Sequence, residues 1–236
     1  MSSSTWVAAR PFDFPYHRHF SPAETALLVI DVQVSFLAHD GYFAKKGYDP
    51  TPLRAVVRPI SQLAEAARTA GCHVVWTRQG YRPDLADLTP YERWRCERAG
   101  IRFQPGDDDV LVRRGPGHEI VPELKVAASD TVIEKTANNA FYGTDLDLVL
   151  RSKGIKYLLF TGCTTDVCVH STLREANDRK YQCLLVEDAC ASGDAQAHRA
   201  AVHQVTVEDG IFGAVADTAA VLQTLQAAGA PLRDCR

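Results

Sequence analysis

The chain alternates between short apolar runs and longer amphipathic segments. Six runs have the composition of strands buried in a sheet, and turn residues border most of them. They lie at 25–30, 73–77, 131–134, 157–160, 182–187 and 211–216. Helical spacing of apolar residues predicts helices between these runs. This βαβ order predicts an α/β fold of three layers (αβα), with a six-stranded, mainly parallel sheet between two layers of helices.

Two stretches depart from this regular pattern. Pro59 interrupts the apolar stripe of the first long helix, so we expect a kink or a short turn there, and Gly71 should end that helix. The segment 78–122 is long, charged and without clear periodicity. A connection of that length is usually functional, and we expect it to cover an active site.

The length and composition fit one globular domain. The chain has 236 residues, of which 46% are hydrophobic, enough for a substantial core. Residues 25–236 are predicted to form this domain. Residues 1–24 are rich in Pro, aromatic residues and His and should form an arm, packed along the domain surface or against another subunit.

Charge, apolar content and cysteine number indicate which partners, compartment and thiol state to expect. The formal charge of −3 gives no reason to expect nucleic acid or an acidic membrane as a partner. No apolar stretch has the length of a signal peptide or a membrane span, so we expect a cytoplasmic protein. The seven cysteines are odd in number and lack metal-type spacing, which favours reduced thiols.

Three chemically useful side chains follow predicted strands. Asp31 follows the first strand, Lys135 follows the third, and Cys168 lies after the turn that ends the fourth. Taken singly, each has an ordinary interpretation as a helix cap, a surface charge or a small buried residue. Because the carboxyl ends of parallel strands line one crevice, however, Asp31, Lys135 and Cys168 can converge.

The segment around Cys168 predicts a strand, a tight turn and a helix. With Thr165 as N-cap, Cys168 would be the third helical residue, near backbone N–H groups that lack helical partners. The helix dipole and these donors favour a thiolate, so this placement predicts a lowered thiol pKa.

Three motifs together resemble the isochorismatase-like cysteine hydrolases. They are ALLVIDVQVSF, IEKTANNAFYGTDL and TGCTTDVCVHSTLREA, and the resemblance extends over about residues 25–225. Within that family, TRQGYRPDLADL, ERW and STLREANDR are most similar to the biuret hydrolase branch. The resemblance implies a catalytic triad of Asp31, Lys135 and Cys168. It also implies an oxyanion hole formed by the backbone N–H groups of Thr164 and Cys168, beside a cis peptide between Cys163 and Thr164.

Other residues are candidates for substrate contact. By resemblance, Phe36 belongs to the pocket wall, and the loop NNAFYGT should bring Phe141 and Tyr142 near the crevice. Two positions depart from the biuret hydrolase pattern. Glu208 replaces an expected Gln, and Asn138 replaces an expected basic residue, so both could shift specificity among ureides such as triuret.

The implied activity is metal-free amide hydrolysis. Nicotinamidase-type relatives carry an Asp-x-His…His metal site after the second strand, whereas this chain reads RQGYRPDLADL, so we expect no metal or other cofactor. His73 and His118 are then structural or solvent-facing.

Biuret, hydrolysed to allophanate and ammonia through a thioester on Cys168, is the leading substrate. Triuret, ureidoacrylate and N-carbamoyl amino acids are alternatives that the same triad could hydrolyse. A non-catalytic binding module is the alternative of another class, although such a module need not retain all three triad residues. Family members are commonly dimers or tetramers, so we expect a homo-oligomer.

Overall fold

The computed structural model describes residues 5–103 and 110–229. Three parts of the sequence predictions lie outside these ranges. They are residues 1–4 of the arm, residues 104–109 of the expected cover, and residues 230–236 of the domain, which include Cys235.

All six predicted strands are present in one parallel sheet. The strands are β1 (Thr25–Ile30), β2 (His73–Gln79), β3 (Thr131–Lys135), β4 (Tyr157–Cys163), β5 (Gln182–Ala191) and β6 (Ala214–Ala216). Their order across the sheet is β3-β2-β1-β4-β5-β6. The chain therefore reverses its direction of winding between β1 and β4, and this switch point is where open α/β sheets bind ligands.

Nine helices are found in the described ranges. They are α1 (Val34–Leu37), α2 (Tyr42–Lys45), α3 (Thr51–Ala55), α4 (Val57–Ala70), α5 (Pro90–Glu97), α6 (Leu146–Ser152), α7 (His170–Asp178), α8 (Ala195–Gly210) and α9 (Thr218–Gly229). Short 3-10 turns occur at Pro22–Glu24 and Pro116–His118, and a π-helical turn at Thr165–Val169 precedes α7.

The sheet is buried on both faces. Alternate residues of β1 point to opposite sides, so Leu27 and Val29 belong to a core shared with α4 and α9. Leu28 and Ile30 belong to the second core, which includes residues of α6, α7 and α8. This arrangement confirms the predicted three-layer fold and explains why β1 is a continuous apolar run.

The predicted break in the first helical segment is confirmed, whereas the segment 78–122 contains a helix that the sequence did not predict. A short helix, α3, stops at Ala55 before the main helix α4 begins, and Gly71 ends α4 at a φ of 89°. Inside the segment expected to lack regular structure, Pro90–Glu97 forms α5. Thr89 and Glu92 start this helix with a capping box, in which each side chain accepts from the other residue's backbone N–H.

The described part of the arm packs along its own domain. Val7 and Phe14 are completely buried, and Arg10 forms an antiparallel bridge with Val215 of β6. The arm therefore extends the edge of the sheet. Within the described ranges, none of the helices combines the length and the apolarity needed to cross a membrane.

Candidate active site

A buried ion pair lies at the carboxyl edge of the sheet. Asp31 directly follows β1 in a left-handed conformation (φ 53°), and Lys135 is the last residue of β3. The Lys135 Nζ atom lies 2.7 Å from Asp31 Oδ2, and both side chains are fully buried. The other carboxylate oxygen, Oδ1, accepts a hydrogen bond from Thr77 Oγ1 at 2.5 Å. The sheet therefore brings together the first two residues of the predicted triad.

The pair keeps Lys135 charged despite its burial. Burial alone would lower the pKa of this amine, but the negative charge of Asp31, together with the interaction with Cys168, outweighs that effect and raises the pKa. Lys135 is therefore a protonated ammonium at neutral pH. It supplies a fixed positive charge in a site from which water is excluded.

Cys168 lies in the turn that follows β4, the strand next to β1. After β4, the Cys163–Thr164 peptide is cis, as the resemblance implied, and Thr164 is the N-cap of the π-helical turn. Cys168 is thus the fourth helical residue and not the third, because the helix begins one residue earlier than predicted. The Val169 N–H donates to Thr164 O at 3.1 Å and closes this wide turn.

Neighbouring elements hold the π-helical turn in place. The Cys168 carbonyl accepts a hydrogen bond from Thr172 Oγ1 at 2.6 Å, and the same hydroxyl accepts from the Ala140 N–H at 3.0 Å. Thr165 Oγ1 forms a 2.8 Å hydrogen bond with His198 Nδ1 of α8. The turn that carries the thiol is therefore tied both to the loop after β3 and to α8.

Burial determines the resting state of the thiol. Cys168 is 8% exposed, and burial raises its pKa to about 12, with Asp31 adding to the rise and Lys135 opposing it. The prediction of a lowered pKa is therefore wrong for the free protein. Loss of hydration and the nearby carboxylate outweigh the stabilisation of a thiolate by the Lys135 ammonium.

The three groups form one interacting cluster. The pKa of the Cys168 thiol responds to both neighbours, since the Asp31 carboxylate raises it and the Lys135 ammonium lowers it. Because Asp31 begins as a carboxylate and Cys168 as a thiol, a proton can pass between them without changing the net charge of the site. Such a transfer produces a thiolate beside the Lys135 ammonium, which is the form that attacks carbonyl carbon.

A cavity of about 730 Å³ opens beside the thiol. Its wall includes Cys163, Thr164 and Cys168, so both the nucleophile and the turn before it can face a ligand. The rest of the lining is strongly aromatic and polar, including Phe36, Tyr42, Tyr48, Tyr91, Gln79, Asn138, Lys46, Glu92, Arg95, Asp166 and Asp194. Small polar molecules with several hydrogen-bonding groups suit such a cavity.

Two of the five predicted substrate contacts lie at the cavity. Phe36 and Asn138 contribute to its wall. Phe141, Tyr142 and Glu208 do not line it, so the structure does not bring these three residues to the cavity. The Phe141 ring packs in the core against Tyr181, with ring centroids 6.0 Å apart, whereas Tyr142 is exposed.

The backbone at the end of α8 bears on the position of Glu208, which lies outside the cavity lining. It leaves helical geometry at Val207, and Glu208 follows at a φ of 51°. The side chain of Glu208 is exposed. The motif match identified the position, but sequence similarity alone does not determine the direction in which a loop side chain points.

Several lining residues escaped the sequence reasoning. Gln79 ends β2 beside Lys135, so it carries the same signal, a polar residue at a strand end, that identified Asp31. Lys46 and Arg95 had no comparable signal, because they lie on short elements within irregular segments. Their place in the cavity depends on tertiary packing.

The two histidines considered as ligands have local partners. His73 Nε2 lies 3.0 Å from Thr131 Oγ1, and His118 Nε2 lies 3.0 Å from Glu134 Oε2. Across residues 5–103 and 110–229, no three His, Cys, Asp or Glu side chains gather as a set of metal ligands.

The combination of fold and site defines a class of protein. A three-layer αβα fold whose parallel sheet carries an Asp, a Lys and a Cys at its switch point is typical of cysteine hydrolases. The chain belongs to the isochorismatase family, since the family model described as an isochorismatase domain matches residues 25–220.

Relatives and solved structures agree with this assignment. Over 212 residues the chain is 32% identical to the ureidoacrylate amidohydrolase RutB of Acinetobacter baylyi, covering 87% of this chain and 85% of that protein. A crystal structure of a cysteine hydrolase from Pseudomonas syringae pv. phaseolicola has a TM-score of 0.77 at 26% identity. The match covers 97% of this chain and 100% of that one. The N-carbamoylsarcosine amidase of Thermoplasma acidophilum has a TM-score of 0.62 at 28% identity, covering 83% of this chain and 96% of that one.

Proposed function

We propose that the protein is a cysteine amidohydrolase that releases ammonia from the terminal carbamoyl group of a small linear ureide. The observation that carries this proposal is the buried cluster of Asp31, Lys135 and Cys168 beside a polar cavity. The family supports hydrolase chemistry. The relatives named as ureidoacrylate amidohydrolase and N-carbamoylsarcosine amidase support a C–N bond as the target.

The first step is proton transfer followed by nucleophilic attack. Asp31 takes the thiol proton as Cys168 Sγ attacks the carbamoyl carbon, and the Lys135 ammonium stabilises the sulfur as it becomes charged. The net charge of the three groups is unchanged during the transfer. For this reason a thiol with a pKa of about 12 can act as a nucleophile at neutral pH.

The second step expels ammonia and leaves a thioester. The oxyanion accepts hydrogen bonds from the backbone N–H groups of Thr164 and Cys168, and Asp31 returns its proton to the departing nitrogen. Protonation is essential because an amide anion is a very poor leaving group. Water then hydrolyses the thioester, with Asp31 accepting the proton of that water and the thiol being restored.

Biuret is the first substrate to test, with allophanate and ammonia as products. The support for it is the resemblance of TRQGYRPDLADL (residues 77–88), ERW and STLREANDR to the biuret hydrolase branch. Triuret is a weaker candidate, because Glu208, the residue whose carboxylate favoured it, is exposed and lies outside the cavity.

Ureidoacrylate is the second candidate, and the cavity supplies a reason for it. Lys46 and Arg95 both line the cavity. Lys46 Nζ lies 5.1 Å from the centre of the Tyr42 ring, and Arg95 Nη1 lies 3.4 Å from the Tyr42 hydroxyl oxygen. In the part of the chain that the structure describes, neither cation forms an ion pair. A substrate carboxylate could bind between them through charge-assisted hydrogen bonds.

The test is ammonia release from biuret, triuret, ureidoacrylate and nicotinamide by the purified protein. We expect turnover of at least one of the three ureides, little turnover of nicotinamide, and complete loss in Cys168→Ser. Intact-protein mass spectrometry after acid quenching should show an acyl adduct on the wild-type chain. Ordinary activity in Cys168→Ser would contradict the mechanism, and absence of turnover with every ureide would favour a binding module.

Arg95→Gln distinguishes the two substrate candidates. If the substrate is an anion, losing one charged hydrogen bond of about 1.5–3 kcal/mol should lower kcat/KM by about 10-fold to 100-fold. For biuret, which is uncharged, the change should be much smaller. A loss that is equal for ureidoacrylate and biuret would show that Arg95 does not recognise a carboxylate.

A further inference from the structure

The ammonium of Lys135 is fully occupied by oxygen atoms. It has three N–H donors, and three oxygens lie close enough to accept from them. The distances from Nζ are 2.7 Å to Asp31 Oδ2, 2.7 Å to Gln79 Oε1 and 3.0 Å to Ala137 O. Of these three acceptors, only Gln79 is a neutral side chain. It is a cavity-lining residue to which the triad chemistry gives no role.

Gln79 is itself held firmly. Its backbone N–H donates to Gln33 Oε1 at 2.7 Å, and its backbone carbonyl accepts from Gln33 Nε2 at 3.1 Å. Its side-chain Nε2 donates to Thr136 O at 2.6 Å. These bonds fix the orientation of the amide, because only Oε1 can then accept from Lys135. Gln33 has no exposed surface, so the support extends into the protein interior.

The neutrality of this acceptor matters for the thiol. A carboxylate at position 79 would also hold Lys135, but it would place a second negative charge beside the group that has to become a thiolate. An amide oxygen fixes the ammonium and leaves its positive charge available to Asp31 and Cys168. Removing the amide would leave a buried N–H donor of Lys135 without a partner, which is unfavourable.

We propose that Gln79 is a positioning residue that fixes the Lys135 ammonium through a neutral hydrogen bond, so that the thiolate of Cys168 can form. This inference rests on the proposed cysteine chemistry, but it does not depend on which ureide is the substrate. Gln79 acts through Lys135. It should therefore influence the thiol even when no substrate is present.

The experiment compares Gln79→Glu and Gln79→Met with the wild type. The first measurement is the pH dependence of Cys168 alkylation by iodoacetamide, located by peptide mass spectrometry. We expect Gln79→Glu to shift the alkylation profile to higher pH, because the added charge opposes the thiolate. The second measurement is steady-state kinetics. Both variants should lose kcat by about 10-fold or more with KM changed much less, as for an interaction made mainly in the transition state.

Gln204→Glu is the matched control, because Gln204 is an exposed residue that binds Arg174 on the surface of α8. It should retain the wild-type profile and rate. An unshifted alkylation profile in Gln79→Glu would overturn the proposal, as would a rise in KM with kcat preserved, since that pattern marks a substrate contact. If no ureide is turned over, the alkylation measurement still tests Gln79 independently of the proposed function.

Discussion

Asp31 combines an unusual backbone conformation with a buried charge. Its φ of 53° lies in the left-handed region, which Asp and Asn tolerate better than most residues. This conformation turns the side chain away from the end of β1 towards Lys135 and Thr77. Asn can adopt the same backbone and occupies almost the same volume, so Asp31→Asn removes the proton acceptor with little other change.

We expect Asp31→Asn to lower kcat by about 10²-fold to 10⁴-fold, the usual contribution of a positioned general base. Its Cys168 thiol should also be alkylated by iodoacetamide at a lower pH than in the wild type, because the carboxylate that raises the pKa of this thiol is absent. The variant loses the charge partner of Lys135, so a thermal melt must show that it remains folded at the assay temperature. A folded variant with a rate within a few-fold of wild type would exclude Asp31 as the base.

At the residue scale, strand ends could be predicted, whereas the positions of the loop side chains Phe141 and Tyr142 could not. Asp31, Lys135 and Cys168 follow apolar runs, and parallel topology requires the ends of such runs to meet. Phe141 and Tyr142 follow β3 in a loop whose path depends on contacts with α7, such as the Ala140 N–H to Thr172 hydrogen bond. Nothing in the local sequence encodes that path.

At the scale of elements, the contact between β1 and β4 places the base and the thiol on adjacent strands. Ile30 is paired with Gly162 across the two strands. Gly162 has a φ of 112°, and a Cβ there would lie 2.1 Å from Ile30 O and 2.6 Å from Ile30 N. Only glycine allows the strands to approach this closely just before Asp31 and Thr164.

Gly162→Ala should therefore separate β1 from β4 and move Asp31 away from Cys168. Overpacking and the positive φ together are expected to reduce the free energy of unfolding by about 3 kcal/mol or more. Activity should fall further than stability alone explains. Urea denaturation and the ammonia assay measure the two effects.

Gly154→Ala is the matched control for this substitution. Gly154 also has a positive φ (68°), but a Cβ there would meet nothing within 4 Å. We expect a loss of only about 1 kcal/mol and normal activity. If Gly162→Ala behaved like Gly154→Ala, the close approach of β1 and β4 would not matter for the site.

The elements themselves differ in how well the sequence predicts them. Each sheet strand contains a short apolar run with buried residues, which explains why all six strands could be located. Helix α5 is short, has a largely polar sequence and begins at a capping box formed by Thr89 and Glu92. Its start signal was present in the sequence, but without apolar periodicity a helix of this kind is easily taken for a loop.

At the scale of the whole molecule, buried thiols should make stability depend on pH. The six cysteines in the described ranges are all buried and unpaired. Burial raises the pKa of Cys72 to about 12 from an ordinary value near 9.0, and it also raises the pKa values of Cys163, Cys183 and Cys190. The folded state therefore favours neutral thiols over a wider pH range than the unfolded state does.

The sign of the effect follows from these shifts. Below about pH 9, thiols are neutral in both states, and their contribution to stability is complete. Above it, the unfolded chain releases thiol protons that the folded chain retains until about pH 12, so stability falls as the pH rises. For one thiol such as Cys72, the loss at about pH 10 is about 1.4 kcal/mol. Urea denaturation of the wild type at about pH 8 and about pH 10 measures the total loss.

Cys72→Ala isolates the contribution of one thiol, because lysines and tyrosines also titrate in this range in both proteins. Cys72 lies in the core beside α4 and α9 and far along the chain from the proposed catalytic residues. The variant should be less stable than wild type at both pH values, since it leaves a small cavity. Its loss between about pH 8 and about pH 10 should nevertheless be smaller by about 1.4 kcal/mol. Equal losses in the two proteins would show that the Cys72 thiol ionises in the folded state as readily as in the unfolded chain, and would remove burial as the source of the alkaline instability.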